Sequence, residues 1–187
     1  MRWLNFVRRQ FSEDKETIPL ISDLEPRIYL VDIRLEGTLI EPRTIFVIEN
    51  RGGGVGHDVY IPPIMFRSRE ITFIFLAGRS EVTAQGWLAN LGVNQKVDVL
   101  IDREKAKSHK RDIISLLDEE CEAKARAEGG TTLGDFRIPL LISYKTVNKT
   151  KTLSTHITIH YNVRKRRLRG AGLDGLFTFQ DQTIKQS

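Results

Sequence analysis

The chain reads as a mainly β protein, an antiparallel β-sandwich carrying one inserted helix. Apolar and polar residues alternate through much of the stretch from Arg27 to Val163, the period of strands whose successive side chains point to opposite faces. Glycine and proline clusters punctuate that alternation at short intervals. After Asp102 the apolar spacing lengthens to the 3.6 of a helix, then returns to two. With 187 residues, a domain of this kind buries roughly two thirds of its unfolded surface and needs no staples. Its single cysteine, Cys121, excludes an internal disulfide framework, so a reducing compartment is allowed.

Residues 1–26 read as an amphipathic helix and its linker. At about 100° per residue, Trp3, Leu4, Phe6, Val7 and Phe11 fall in one arc of roughly 160°, opposite Arg2, Asn5, Arg8, Arg9 and Ser12. Aromatic and aliphatic residues on one side with arginines on the other suit a membrane interface; they also suit docking on the sandwich itself or in the groove of a protein partner. Arg8 and Arg9 interrupt the place where the apolar core of a secretion signal should run, so a cytoplasmic location, peripheral to the membrane, is the expectation. Ser12 to Pro26 is polar and acidic, a linker.

The sandwich body is expected over residues 27–163. Arg27 to Glu36 is the first strand. Thr44 to Asn50 is the second, with Phe46 and Ile48 on one face and Ile45 and Val47 on the other. Gly52, Gly53, Gly54 and Gly56 then read as a tight reversal using positive φ, returning the chain as a hairpin through Val59 and Ile61. No Lys-Ser/Thr or GxGxxG follows, and Pro62-Pro63 denies the run a helix N-terminus, so it is read as a turn and not a phosphate cradle. Ile64 to Gly78 reads as one strand, Arg79 to Gln95 as irregular with Trp87, Leu88 and Leu91 over an end of the core, and Val97, Val99 and Ile101 as a further strand. A helix over 108–128 places Ile113, Ile114, Leu117 and Cys121 on one face and ends at Gly129-Gly130. Cys121 on that stripe, with no base beside it, reads as an inert thiol. Arg137 to Val147 and Leu153 to Val163 form a hairpin about NKTK, with Asn148 suited to the turn.

No pattern for chemistry emerges. His156 and His160 share a strand face, but about 13 Å separates them at 3.3 Å per residue, too far for one zinc. No GxSxG elbow is present. Glu119 and Glu120 point apart on a helix. No catalytic residue, cofactor or metal ligand is therefore assigned, and an enzyme on a sandwich scaffold is the least favoured of three readings.

Residues 164–187 read as a basic, flexible tail. Arg164, Lys165, Arg166, Arg167 and Arg169 put five cations in six residues, suited to anionic headgroups or to nucleic-acid phosphates. Leu176, Phe177 and Phe179 beyond them suit a late strand or a short docking motif. Residues 1–15 carry four bases against two acids and 164–187 six against two, so of the net charge of +5 the ends hold +2 and +4 and the body −1. Attraction for anions belongs to the ends.

Two local patterns, IENRGGGVGHDVYI and LISYKTVNKTKTLSTHITI, resemble the CARDB-like immunoglobulin-like sandwich domains of bacterial and archaeal proteins. In that family a strand ending in Asn-x-Gly is followed by a small residue and a second strand; Asn50, Gly52 and Val59 match, while Gly56 stands where alanine is usual. The resemblance covers roughly residues 27–163 and implies an immunoglobulin-like topology. The helix at 108–128 is an insertion relative to it, and such domains are commonly exported. The expected function is a noncatalytic protein-interaction or adaptor module, with an anionic membrane surface as a possible second contact and nucleic-acid binding through the C-terminal cations as the alternative.

Overall fold

A computed structural model describes residues 24–37, 42–66, 69–77, 80–83, 86–102, 113–127, 136–148, 150–162 and 176–186. The first sheet contains β1 (Ile28–Gly37), β2 (Pro42–Asn50), β9 (Lys96–Ile101), β6 (Phe73–Ala77) and β7 (Ser80–Thr83), in that spatial order. The second contains β12 (Phe177–Gln186), β11 (Thr152–Tyr161), β10 (Phe136–Lys145), β3 (Gly56–Tyr60) and β8 (Trp87–Leu91). A small hairpin of β4 (Ile64–Phe66) and β5 (Arg69–Ile71) stands apart, and every pairing is antiparallel.

One apolar core joins the two sheets, which makes the molecule a β-sandwich. Ile28, Leu30, Phe46, Ile48, Phe73 and Phe75 from the first sheet meet Val59, Leu91, Ile142, Tyr144, Ile159 and Tyr161 from the second. Phe46 packs edge-on against Phe73, ring centres 6.2 Å apart, the geometry favoured by aromatic quadrupoles. β2 is apolar on both faces for a reason. While Phe46 and Ile48 enter this core, Ile45 and Val47 join Leu100 of β9 in a second cluster behind the sheet.

The glycine-rich segment does not close a hairpin. It carries the chain from β2 in one sheet to β3 in the other, and positive φ is not what its glycines supply: among the described glycines only Gly86 has it. Close approach is the reason instead. A Cβ on Gly52 would lie on the carbonyl oxygen of Glu25, and one on Gly54 on that of Leu24, so side chains are excluded where the 24–27 segment crosses. Asn50, fully buried, clamps this crossing. Its Oδ1 accepts from Arg27 N and Gly52 N, both at 3.0 Å, and its Nδ2 donates to Gly54 O at 2.7 Å and Leu91 O at 3.0 Å.

Two other expectations need correction. The stretch 64–78 is three short strands and not one, because β4 and β5 fold onto each other before β6 enters the first sheet. The stretch 79–95 is not irregular: β7 and β8 are edge strands of opposite sheets, with Leu88 and Leu91 in the core and Trp87 48% exposed. The expected helix is α1 (Ile113–Ala127), seated by buried Ile113, Ile114, Leu116 and Leu117 and by Tyr161 Oη donating to Asp118 Oδ1 at 2.5 Å. Cys121 lies in this helix, its side chain outside the description. Residues 108–112 and the whole of the N-terminal helix read over 2–12 also lie outside it.

The stretch 164–187 ends as part of the sheet. β12 pairs with β11 along its length, and Asn162 N–H donates to Leu176 O at 2.9 Å where the two strands meet. The cationic run therefore links two paired strands.

Candidate interaction site

The outer face of the second sheet is laid out by strand register. Thr146 N–H donates to Lys151 O at 3.1 Å, and alternation from that bond makes the even residues of β10 exchange with β11. The odd residues turn their backbone groups toward β3. That strand accompanies β10 only at Ser143 and Lys145, since Pro62-Pro63 ends it. Pro139, having no N–H to give, thus stands where β3 has already left, as a strand proline must.

Across the outer face the register sets Arg137 beside His160 and Thr178, Pro139 beside Thr158, Leu141 beside His156 and Thr183, and Ser143 beside Ser154 and Lys185. The middle of this grid is a groove of about 610 Å³, floored by Pro139, Leu141, His156, Thr158 and Thr183 and walled by Pro62 to Met65. Met65 is 67% exposed. Aliphatic walls with a few polar groups make the usual lining of a binding groove. His156 Nε2 lies 3.2 Å from Ser154 Oγ, which orients the ring at the groove floor.

Charge is distributed unevenly around this groove. At one end of the face Lys145 pairs with Asp58 and Lys151 with Glu25, each at 3.1 Å. Asp58 occupies the left-handed region, φ 48°, at a bulge in the β10–β3 register; a short polar side chain tolerates that conformation. Arg137 and Lys185 occupy opposite corners; β10 and β11 carry no acidic residue, and β12 carries one, Asp181, whose side chain lies outside the description. Glu70 stands opposite Met65 on the hairpin. On edge strand β8, Trp87 stacks on Tyr60 of β3 with ring centres 4.5 Å apart, and His57 Nδ1 lies 2.6 Å from Asn90 Oδ1.

His156 and His160 do share the outer face, as read from the sequence, and are drawn into a groove and its margin, respectively. Among the described residues no three His, Cys, Asp or Glu side chains gather at metal-holding distance. No described helix is long and apolar enough to cross a membrane. The docking residues Trp3, Leu4, Phe6, Val7 and Phe11 and the cations Arg164, Lys165, Arg166, Arg167 and Arg169 lie outside the described residues. The groove itself escaped sequence reading. Its one legible signal was Pro139 within a strand-like run, a mark of a strand whose neighbour is missing.

No family model matches the chain, and neither a curated protein nor a solved structure matches it.

Proposed function

We propose that the chain is a noncatalytic interaction module, an immunoglobulin-like sandwich of the CARDB-like kind, that holds a segment of a protein partner in the groove across β10, β11 and β12. The observation that carries this reading is the groove: about 610 Å³ of largely aliphatic wall fixed on a continuous sheet, with Met65 presented to solvent. Its described lining offers one imidazole and two threonine hydroxyls among prolines, leucines and isoleucines, chemistry suited to contact more than to proton transfer between paired groups. The N-terminal amphipathic residues and the cations at 164–169 are proposed as a second contact, holding the module at the cytoplasmic face of an anionic membrane. Two weak anchors are what stable attachment to such a surface takes.

Selection from a displayed library of random heptapeptides tests the groove. Clones enriched on the wild type should lose binding to Met65→Asp, a change on an exposed side chain that leaves the core intact by circular dichroism. If the two proteins enrich the same clones equally, or neither enriches any, the groove is not an interaction site and the reading is abandoned.

A further inference from the structure

We infer that the partner segment is an extended peptide with an apolar middle and a carboxylate toward each end, an inference that rests on the interaction-module reading of the same groove. Arg137 and Lys185 bracket the groove from opposite corners: three rows along the strands and two strands across. At about 6.6 Å per row and 4.8 Å per strand they stand about 22 Å apart. An extended chain spans that distance in about seven residues, at 3.3 Å each. Between the corners lie Pro139, Leu141 and the wall residues Ile64 and Met65, which receive apolar side chains; His156, Thr158 and Thr183 face the peptide's polar groups. Charge complementarity decides the ends, because Arg137 and Lys185 stand at the two corners, while the one acidic residue of the three strands, Asp181, lies at the bulge between Gln180 and Thr183 and not at a corner. A single-stranded nucleic acid fits less well. It asks for large aromatic platforms on which bases stack, and the described groove lining contains no Phe, Tyr or Trp.

The same heptapeptide selection supplies the test through its consensus and through a charge reversal. On the wild type, clones that depend on Met65 should be enriched in Asp or Glu at both ends and in Leu, Ile or Val between. Replacing both acids of the best clone by Asn or Gln should weaken binding roughly threefold to tenfold by fluorescence anisotropy at 50 mM salt, the range for two exposed ion pairs. The double variant Arg137→Glu, Lys185→Glu, both changes on the outer face, should shift the consensus from acidic to basic ends. A groove-dependent consensus without acids, or one unmoved by the double variant, overturns the acidic-peptide inference while the interaction-module reading stands. No groove-dependent clone overturns both. Binding of phosphatidylserine vesicles that Met65→Asp abolishes, with no peptide enriched, identifies a lipid contact and overturns the inference. So does a Met65-dependent dimer in sedimentation velocity, which makes a second copy the occupant.

Discussion

Asn50 and Tyr144 show how single buried polar residues hold this sandwich together. Each hydrogen-bonding position of the Asn50 amide meets a backbone group, and the four come from three stretches: Arg27, Gly52 with Gly54, and Leu91. Asn50→Ala leaves two N–H groups and two carbonyls without that partner in the interior, and should lower stability by about 2–4 kcal/mol, read as a drop in the urea midpoint. Asn50→Asp keeps the acceptor but faces two carbonyls with an oxygen, so it should not rescue the loss. Tyr144 closes a second network. Thr155 Oγ1 donates to Ile28 O at 2.6 Å, so its proton is committed, and the Tyr144 hydroxyl donates to Thr155 at 3.2 Å while accepting from Ile28 N. Burial pushes this phenol above its ordinary 10.0, against the lowering effect of those hydrogen bonds. The unfolded chain ionises first as pH rises, so the stability linked to Tyr144 is fully present below pH 10 and is lost as pH climbs through the raised native value. Tyr144→Phe should therefore be less stable at neutral pH, yet lose less further stability between about pH 9 and pH 11 than the wild type does in parallel urea titrations. A parallel decline would mean that the phenol ionises alike in both states.

At the scale of elements, β1 is an edge strand whose outer side is closed by side chains of the opposite sheet. Gln182 of β12 accepts from Leu30 N at 2.9 Å and donates to Leu30 O at 2.8 Å, as a neighbouring strand would, and Tyr144 and Thr155 do the same for Ile28. An edge left open is a template for association. Gln182→Glu removes the donor to Leu30 O, and should cost about 1–3 kcal/mol and raise the dimer fraction in size-exclusion chromatography; unchanged stability would show that β1 needs no such seal. β12 itself is integral. Leu176 is buried, Phe177, Phe179 and Ile184 pack on the core, and a chain ending at residue 175 should lose its cooperative urea transition. These elements also show what a sequence can carry. β2, β9 and the β10–β11 hairpin were legible because alternation alone specifies them, and in β2 even the second apolar face was real. The crossing at 51–55 was misread as a hairpin because turns and close backbone contacts both select glycine, and the contact that chose it here, with residues 24–27, is distant in sequence. The groove went unread for the same reason: its lining comes from 62–65, 139–141, 156–158 and 183, and of these only Pro139 carries a local signal.

For the whole molecule, the division of charge between body and ends acquires a geometry. The body over 16–163 carries −1 while the five cations between Arg164 and Arg169 sit on the link between β11 and β12, whose adjoining ends are tied by the Asn162–Leu176 bond. In sequence they fall between the last residue of β11 and the first of β12. Flotation on phosphatidylserine vesicles reads this directly. Replacing all five by Gln should remove most of the binding, at about 1 kcal/mol per cation near an anionic surface, and Trp3→Glu should weaken it further if the N-terminal apolar residues supply the proposed second anchor. Raising salt from 0.1 M to 1 M shortens the screening length from about 10 Å to about 3 Å, and so should suppress the cationic contribution while sparing the Trp3-dependent one. A duplex-binding protein behaves otherwise: five engaged phosphates give a log–log salt slope near −4.5 with no sensitivity at Trp3. Vesicle binding that survives both substitutions together would remove the membrane contact from the proposed function, and a steep slope on duplex DNA would put phosphate binding in its place.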